Sequence, residues 1–233
     1  MSLKYKDVPH NVCKPRYERL ITIALLSTMA VLGIVMFAML NFVEHYYAKP
    51  IDGPSMQPGI NLYEDGPHGD IAIVSYNTNY DYGDIIIANM ENANVIKEDL
   101  KTKLLIKRII AKSGDCVDIR YDVDGYYVFL KKQGESEFTK LVEDYINPMS
   151  SFTKYNEFNK QCYWVDKIEK NPDGSITIPE GCYFALGDNR DESLDCRYFG
   201  PLPDETCMGI VTKVLKRGDV WNTIFNWLAS LVS

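Results

Sequence analysis

The sequence predicts a mainly β domain that follows a single N-terminal transmembrane helix. The helix is indicated by an apolar run of 24 residues, Leu20 to Val43, without a charged side chain. The β domain is indicated by short runs of β-branched residues, separated by glycine and aspartate, that fill most of the remaining chain. Of the 233 residues, 46% are hydrophobic and 24% are charged, which provides enough apolar side chains for a buried core.

The apolar run is predicted to be a retained membrane anchor. At about 1.5 Å per residue it spans about 36 Å, more than the roughly 30 Å of a hydrocarbon core, whereas a cleaved signal peptide has an apolar centre of only about 7–15 residues. One basic residue, Lys49, follows the run closely, and five precede it: Lys4, Lys6, Lys14, Arg16 and Arg19. The positive-inside rule therefore predicts a cytoplasmic tail (1–19), a single span of the cell membrane (20–43) and an extracytoplasmic domain from residue 44 onwards.

Strands and turns are predicted in order along that domain. Three early runs are rich in β-branched residues: DIAIVSY (70–76), GDIIIANM (83–90) and LLIKRIIA (104–111). The segment VDIRYDVDGYYVFLKK (117–132) predicts a hairpin that turns at Asp124-Gly125. Late strands are predicted within SITIPEGCYFALGDN and CMGIVTKVLKRGD, and no helix is expected after the anchor except at the C-terminus.

The C-terminal segment VWNTIFNWLASLVS (220–233) is apolar, but its 14 residues are too few to span a bilayer. Two alternatives stay open for it. Trp221 and Trp227 favour an interfacial helix that lies on the membrane, whereas the same apolar side chains could instead pack on the domain.

Charge excludes one class of partner. The formal net charge is −7, the isoelectric point is about 5.1, and no cluster of lysine and arginine is present. Because phosphate binding needs a concentrated basic face, nucleic acid is not expected as the main partner.

The cysteines indicate neither a zinc site nor a redox motif, because no two are spaced as C-x-x-C. Cys13 is expected on the cytoplasmic side, and five cysteines are expected outside: Cys116, Cys162, Cys182, Cys196 and Cys207. Since five is odd, at least one of them is unpaired or pairs between chains. The sequence does not determine their connectivity.

Ser55 is the first candidate catalytic residue. It lies in IDGPSMQPGI (51–60), a bend rich in proline and glycine shortly after the anchor, and a serine hydroxyl needs a base before it can act as a nucleophile. The chain has three histidines, His10, His45 and His68, and none lies in a context typical of a catalytic base. A Ser-His-Asp triad is therefore not predicted.

Lys107 is the candidate base. In the predicted strand LLIKRIIA, a period of two places Leu105, Lys107 and Ile109 on one face. An amine between two aliphatic side chains is desolvated, which disfavours the ammonium form and lowers the pKa of the lysine. The alternative is that Lys107 lies at a sheet edge and extends its amine into water.

A charged segment, GDNRDESLDCRYFGPLP (187–203), follows a late strand. One interpretation is a solvated loop. The other is a supporting role for a serine–lysine pair, in which Ser193 holds the neutral amine by a hydrogen bond and Asp195 forms a structural ion pair with Arg197.

Taken together, these segments resemble those of the bacterial type I signal peptidases. SMQP (55–58) matches the Ser-Met-x-Pro box of that family, GDIIIAN (83–89) its Gly-Asp strand, KRIIAKSGD (107–115) its lysine box and GDNRDESLDCR (187–197) its Gly-Asp-Asn-Arg box. The order is also similar: one anchor, then the serine, the lysine and the acidic loop, over about residues 20 to 215.

The resemblance implies a role for each matched residue. Ser55 would be the nucleophile and Lys107 the general base that takes its proton, while Ser193 would orient the amine. The backbone N–H of Ser55 would hold the oxyanion, without side-chain help from Gly53. The other supporting residues would be Met56, packed beneath the site, and Asp188, Asp195 and Arg197, which would brace it. No metal or organic cofactor is implied, because a serine–lysine pair needs none.

The fold implied by the resemblance is a β-rich catalytic core with a smaller inserted β subdomain. The core would comprise residues 44–115 and 184–219, and the variable insertion would comprise residues 116–183. Two positions depart from the family pattern: Cys196 replaces a usual serine, and Ser113 stands where a proline is common. Neither departure touches the dyad, so we expect them to affect local packing.

The implied function is that of a membrane-bound serine endopeptidase that removes N-terminal signal peptides from exported preproteins on the outer face of the membrane. A preprotein tethered by its own apolar segment would present its cleavage site to Ser55 as an extended strand. Small residues such as Ala would be favoured one and three positions before the cut. The partners would be these preproteins and the lipid bilayer.

Three alternatives stay open. Another Ser-Lys protease, such as a pilin-maturing relative or a self-cleaving repressor relative, would share the dyad, although the anchor disfavours the repressors. An inactive, membrane-tethered binding domain could have the same fold, but both Ser55 and Lys107 are present. A cysteine protease that uses His45 or His68 would lack a recognisable sequence context.

Overall fold

The computed structural model describes residues 16–61, 69–91, 104–122, 125–146 and 170–230. The chain divides into two compact units between Glu44 and His45. The first unit contains nearly all of the helix α1 (Arg16–His45), which is long and apolar enough to cross a membrane, with a mean hydropathy of 2.5 over 18 residues. The predicted N-terminal apolar helix is therefore confirmed, and it extends beyond both ends of the run 20–43.

The second unit is built on two antiparallel sheets. The larger sheet has seven strands in the order β1-β2-β11-β3-β4-β9-β10. The bounds of these strands, in chain order, are Tyr46–Pro50 (β1), Ile71–Ser75 (β2), Ile85–Asn89 (β3), Leu104–Lys112 (β4), Cys182–Leu186 (β9), Leu202–Pro203 (β10) and Cys207–Leu215 (β11).

The smaller sheet has four strands in the order β7-β6-β5-β8, formed by Cys116–Asp122 (β5), Gly125–Lys131 (β6), Thr139–Lys140 (β7) and Ile176–Thr177 (β8). The predicted hairpin is confirmed as β5 and β6. Gly125, predicted to lie in the turn, instead belongs to β6 and pairs with Asp122, while residues 123–124 lie outside the described residues. That residues 116–183 form a separate insertion stays a prediction.

Two helices lie in the last part of the chain, one between β9 and β10 and one after β11. The single turn α2 (Cys196–Phe199) was not predicted, although its ends carry ordinary signals: the Asp195 side chain accepts a hydrogen bond from the Arg197 N–H, and Gly200 ends the turn at φ +88°. A 3-10 turn (Asp204–Thr206) precedes β11, and α3 (Val220–Ser230) forms the C-terminal end of the described chain.

Both sheets contribute to one core. Ile86, Ile109 and Phe184 of the larger sheet are at most 1% exposed and belong to the same apolar cluster as Val117 and Val128 of the smaller sheet. Each such side chain contributes about 1.5–3 kcal/mol by leaving water. The predicted mainly β fold is therefore confirmed.

The strand β4 is buried on both of its faces. Ile106, Ile109, Ile110 and Ala111 are all buried, so both faces of the strand pack against apolar side chains. A register shift between Ile109 and Ala111 interrupts the pairing of β4 with β9.

Candidate active site

Ser55 lies on a compact loop, residues 51–61, between β1 and β2. Turn hydrogen bonds join Gln57 N–H to Pro54 O (3.0 Å) and Ile60 N–H to Met56 O (2.9 Å). Beneath the loop is an apolar cluster that contains Ile51, Met56 and Ile60 from the loop and Ala72, Val74, Ile87 and Ile106 from the sheet. Met56, predicted to lie beneath the site, is 1% exposed. The loop is thus held rigidly on the sheet, with Ser55 half-buried at its surface.

The Lys107 amine reaches Ser55 from the neighbouring strand β4. Its Nζ lies 2.9 Å from Ser55 Oγ and donates a second hydrogen bond, of 2.8 Å, to the carbonyl of Ile106. The residue is 2% exposed, and this burial lowers the pKa of the Lys107 amine from 10.5 to about 8, although the Asp195 carboxylate opposes the shift. A neutral amine at this distance can accept the proton of the serine hydroxyl.

The acidic loop that follows β9 closes over the serine loop. The backbone N–H of Asn189 donates to Ser55 O at 3.0 Å, and the Asn189 side chain donates to Pro54 O at 3.2 Å. At Gly187 a Cβ atom would lie 2.4 Å from Ser55 O and 2.1 Å from Ser193 Oγ, so only glycine fits between the two loops. The sequence segments that resemble the serine and acidic boxes are therefore in direct contact.

Ser193 lies inside the site but does not make the predicted hydrogen bond to Lys107. It is 2% exposed, and its hydroxyl lacks a hydrogen-bond partner of ordinary geometry among the residues that the structure describes. The hydroxyl is nevertheless close enough to Asp195 to help lower the pKa of that carboxyl. Its position is compatible with a supporting role beside Ser55 and Lys107, and that role stays a prediction.

Asp195 and Arg197 form a buried, bidentate ion pair, with Nε–Oδ1 and Nη2–Oδ2 distances of 2.8 and 2.9 Å. Burial alone would raise the pKa of the Asp195 carboxyl, but the Arg197 charge, together with the Ser193 hydroxyl and the Gly187 N–H, lowers it below the ordinary value. The carboxylate thus stays ionised close to Lys107 and fixes the loop at Gly187.

Asp188 pairs with an arginine that the sequence analysis did not single out. Its carboxylate accepts two hydrogen bonds from Arg108, at 2.8 and 2.6 Å. Arg108 follows Lys107 on β4, where its guanidinium also lies 4.1 Å from the ring centre of Tyr145. A basic side chain next to the candidate base was visible in the sequence, but its acidic partner is 80 positions away.

Glu143 and Arg190 form a second pair that sequence analysis missed. Both Arg190 Nη atoms donate to the Glu143 carboxylate, and both side chains are at most 4% exposed. Arg190 Nε also donates to Gly187 O at 3.0 Å, and Tyr145 OH donates to Glu143 at 2.8 Å. The segment after β7 therefore helps to hold the acidic loop in place through the contact of Glu143 with Arg190.

Replacing Glu143 with glutamine is expected to lower the free energy of unfolding by about 1–3 kcal/mol, because the amide leaves the Arg190 charge buried with a weaker partner. Chemical unfolding measures this loss. The matched control is Glu137→Gln on the exposed surface, which should unfold like the wild type. Equal stability of the two variants would show that the buried pair does not brace the loop.

An open groove of about 590 Å³ lies over Ser55 and Lys107. Its lining includes Ile51, Ile87 and Leu194 with the segment 104–107 of β4, and charged residues at Lys49, Asp52 and Glu192. The strand β9 pairs with β4 only from Arg108 onwards, so among the described residues the backbone of 104–107 has no strand neighbour on that side. Such an edge can pair with an extended peptide.

The histidines and cysteines add no second nucleophilic centre in the described part of the chain. His45 is exposed at the end of α1, whereas His10, His68, Cys13 and Cys162 lie outside the described residues. Cys116, Cys182, Cys196 and Cys207 are free thiols. Cys196 is buried, and its Sγ accepts a hydrogen bond from Ala185 N–H at 3.1 Å. Within the described residues no cluster of histidine, cysteine or carboxylate could hold a metal ion.

A serine hydroxyl beside a buried amine, next to a strand edge that can pair with an extended peptide, is the arrangement expected of a serine endopeptidase. The family model "Signal peptidase, peptidase S26" matches residues 21–215, and the chain belongs to that family. It is a serine endopeptidase of the signal peptidase I type.

Curated relatives have the same name. Signal peptidase IB of Staphylococcus aureus (strain COL) is 31% identical over 193 residues, which cover 79% of this chain and 84% of the relative. Signal peptidase I of Streptococcus pneumoniae serotype 4 is 30% identical over 164 residues, 64% of this chain and 72% of the relative. A crystal structure of a signal peptidase I from Enterococcus faecalis V583 is 24% identical and aligns with a TM-score of 0.35, over 57% of this chain and 97% of that one.

Proposed function

We propose that this enzyme removes N-terminal signal peptides from exported preproteins on the outer face of the cell membrane, with Ser55 as nucleophile and Lys107 as general base. The observation that carries the proposal is the 2.9 Å contact between Ser55 Oγ and the Nζ of a lysine that is 2% exposed. Burial keeps a substantial fraction of this amine neutral near physiological pH, which is the state that a base requires.

The chemistry follows the usual two steps of a serine endopeptidase. Ser55 Oγ attacks the carbonyl carbon of the scissile bond while its proton passes to Lys107 Nζ, and the ammonium then returns a proton to the leaving amine. Water deacylates the Ser55 ester, again with Lys107 as the base. Among the described residues the Ser55 N–H has no acceptor, so it is available to hold the developing oxyanion.

Substrate specificity is proposed to follow from the groove. The unpaired edge at 104–107 would bind the residues before the cut as an added strand, in which alternate side chains point into the site. Small side chains such as Ala, one and three positions before the cut, would lie in the part of the groove that Ile51 and Ile87 line. The apolar helix α1 would anchor the enzyme in the same membrane as the apolar segment of its substrate.

The test is cleavage of a preprotein with an Ala-x-Ala site by the full chain in lipid or detergent. We expect one cut directly after the second alanine, located by mass spectrometry, and loss of that cut in Ser55→Ala. The control variant Ser75→Ala, on β2 away from the groove, should cut like the wild type. A folded wild-type chain that leaves the preprotein intact would contradict the proposal and would favour a specialised substrate or an inactive scaffold.

The pH dependence of kcat/KM is expected to report the lysine. Because the pKa of the Lys107 amine is lowered to about 8, the fraction of neutral amine falls about tenfold for each pH unit below that value. We therefore expect kcat/KM to rise from pH 5 to about pH 8 and then to level off, measured with a peptide that does not titrate in this range. A flat profile between pH 5 and pH 9 would show that Lys107 is not the base.

A further inference from the structure

The helix α3 is attached firmly to the domain through one of its faces. Asn222 is 3% exposed, and its side-chain amide donates to Gly69 O at 3.1 Å and to Leu215 O at 3.0 Å. Phe225 packs against an apolar cluster formed by Ile71, Ile73 and Leu215. Of the two alternatives that the sequence left open for this segment, packing on the domain therefore applies to this face of the helix only.

The opposite face of α3 exposes large apolar side chains. Trp221 is 62% exposed, Trp227 60%, Val220 72% and Ile224 37%. The helix Val220–Ser230 contains no charged residue, and both of its indole side chains are at least 60% exposed. A helix with one anchored face and one aromatic, uncharged face is typical of an element that contacts another apolar phase.

The position of α3 in the fold indicates which apolar phase this face contacts. Phe225 packs in the same cluster as Tyr46 and Ala48 of β1, and Tyr46 follows His45, the last residue of α1, directly in the chain. The helix α3 thus packs on the strand that directly follows α1 in the chain. Tryptophan is enriched at membrane–water interfaces, where the ring is buried and the N–H reaches the head groups.

We propose that α3 is a second membrane-contacting element, which lies in the interface of the bilayer that α1 spans, with Trp221, Ile224 and Trp227 among the head groups and the outer acyl carbons. With 11 residues it is about 16 Å long, too short to span and suited to lie in the membrane plane. The proposal rests on the membrane anchoring that is part of the proposed function.

This contact would set the orientation of the nucleophile relative to the bilayer. Just before α3, Lys216 Nζ (3.1 Å) and Arg217 N–H (2.9 Å) donate to Asp70, whose carboxylate also accepts from the N–H of Asn61 at the end of the serine loop (2.8 Å). The base of α3 and the loop of Ser55 are therefore joined through one carboxylate. A substrate tethered in the same bilayer would then meet Ser55 at a fixed height above the membrane surface.

The test measures tryptophan quenching by brominated lipid in the full chain reconstituted into phosphatidylcholine–phosphatidylglycerol vesicles. Trp164→Phe serves as the background, so that only Trp221 and Trp227 emit. We expect lipid brominated near the head group to quench this emission at least about threefold more than lipid brominated near the chain ends. The matched control replaces Trp164, Trp221 and Trp227 with Phe and introduces Val142→Trp, at a side chain that is 91% exposed; brominated lipid should not quench its emission.

Three results would overturn the proposal. Emission at a water-like wavelength without quenching would mean that the face stays hydrated. Blue-shifted emission without quenching would mean that protein, such as a second copy of this chain, covers the face. Equal quenching in the Val142→Trp control would mean that the contact is not specific to α3. Preprotein cleavage is measured in the same vesicles, so loss of cleavage with quenching intact would contradict the proposed function alone.

Discussion

Lys107→Met is expected to lower kcat/KM for a preprotein by at least about 1000-fold while making the folded domain more stable. The loss follows from the site geometry. Nζ of Lys107 lies 2.9 Å from Ser55 Oγ, and within the described residues no histidine, carboxylate or other amine makes a hydrogen bond to that hydroxyl. Without the amine, the serine keeps its proton and the first step has no base.

The gain in stability follows from the cost of burying the amine. In the unfolded chain the lysine binds a proton up to a pKa of 10.5, whereas in the folded chain it does so only up to about 8. Between these values the unfolded state binds more protons, so stability rises with pH there, and at pH 7 the folded state carries a penalty on the order of 3 kcal/mol. Methionine has a similar length and no charge, so it removes this penalty.

The two effects of Lys107→Met make the experiment decisive, because unfolding cannot explain the lost activity. Chemical unfolding at pH 7 and pH 9.5 should show a stability gain that is larger at the lower pH. Lys112→Met is the matched control on the same strand. Lys112 pairs at 3.0 Å with the exposed Asp81, so its loss should change stability and activity little. A Lys107→Met enzyme that keeps more than about a tenth of the wild-type activity would contradict the assignment of the base.

Local sequence patterns predicted the elements that hold the dyad, because those elements depend on neighbours along the chain. The stiff bend around Ser55 follows from Pro54, Pro58 and Gly59. The β-branched run around Lys107 predicts a strand and a desolvated amine, and the amine is 2% exposed. The apolar run 20–43 predicts α1 from length and composition alone.

The remaining features depend on contacts between distant segments, and no local pattern encodes these. Glu143 binds Arg190 across 47 positions, and Arg108 binds Asp188 across 80. The sequence between β7 and β8 has no clear period, so nothing in it distinguished Glu143 from its exposed neighbours. Even Ser193, whose position near the site was expected, differs in its hydrogen bonding, because the orientation of one hydroxyl depends on atoms from several loops.

The site therefore combines two requirements that oppose each other. The lysine must be buried to lose its charge, yet the loop that covers it contains carboxylates that would favour the charged form. Asp188 and Asp195 each face an arginine in a bidentate pair. The positive charges of the two arginines offset much of the attraction that these carboxylates would exert on an ammonium group at Lys107 Nζ. Removing one of these arginines tests that arrangement directly.

Arg197→Met is expected to lower the free energy of unfolding by about 3–5 kcal/mol at pH 7, because Asp195, which is 0% exposed, would keep a buried negative charge without a cationic partner. The double variant Asp195→Asn, Arg197→Met should be more stable than Arg197→Met alone, since it removes the orphaned charge. Chemical unfolding of the three proteins measures the difference. A single variant as stable as the double one would mean that the pair does not hold the loop.

The stability of Arg197→Met should depend on pH in a way that distinguishes a lost ion pair from a general loss of packing. In the wild type, Arg197 holds the pKa of the Asp195 carboxyl below its ordinary 3.8, so the pair stabilises the fold above that pH and loses its effect as the pH falls through the lowered pKa. In Arg197→Met, burial raises that pKa instead, and the folded state then binds more protons than the unfolded state. The difference in the free energy of unfolding between the wild type and the variant should therefore become smaller as the pH falls from 7 towards 4. In the same variant an uncompensated carboxylate would favour the ammonium form of Lys107, so the pH at which kcat/KM levels off should move upwards from about 8.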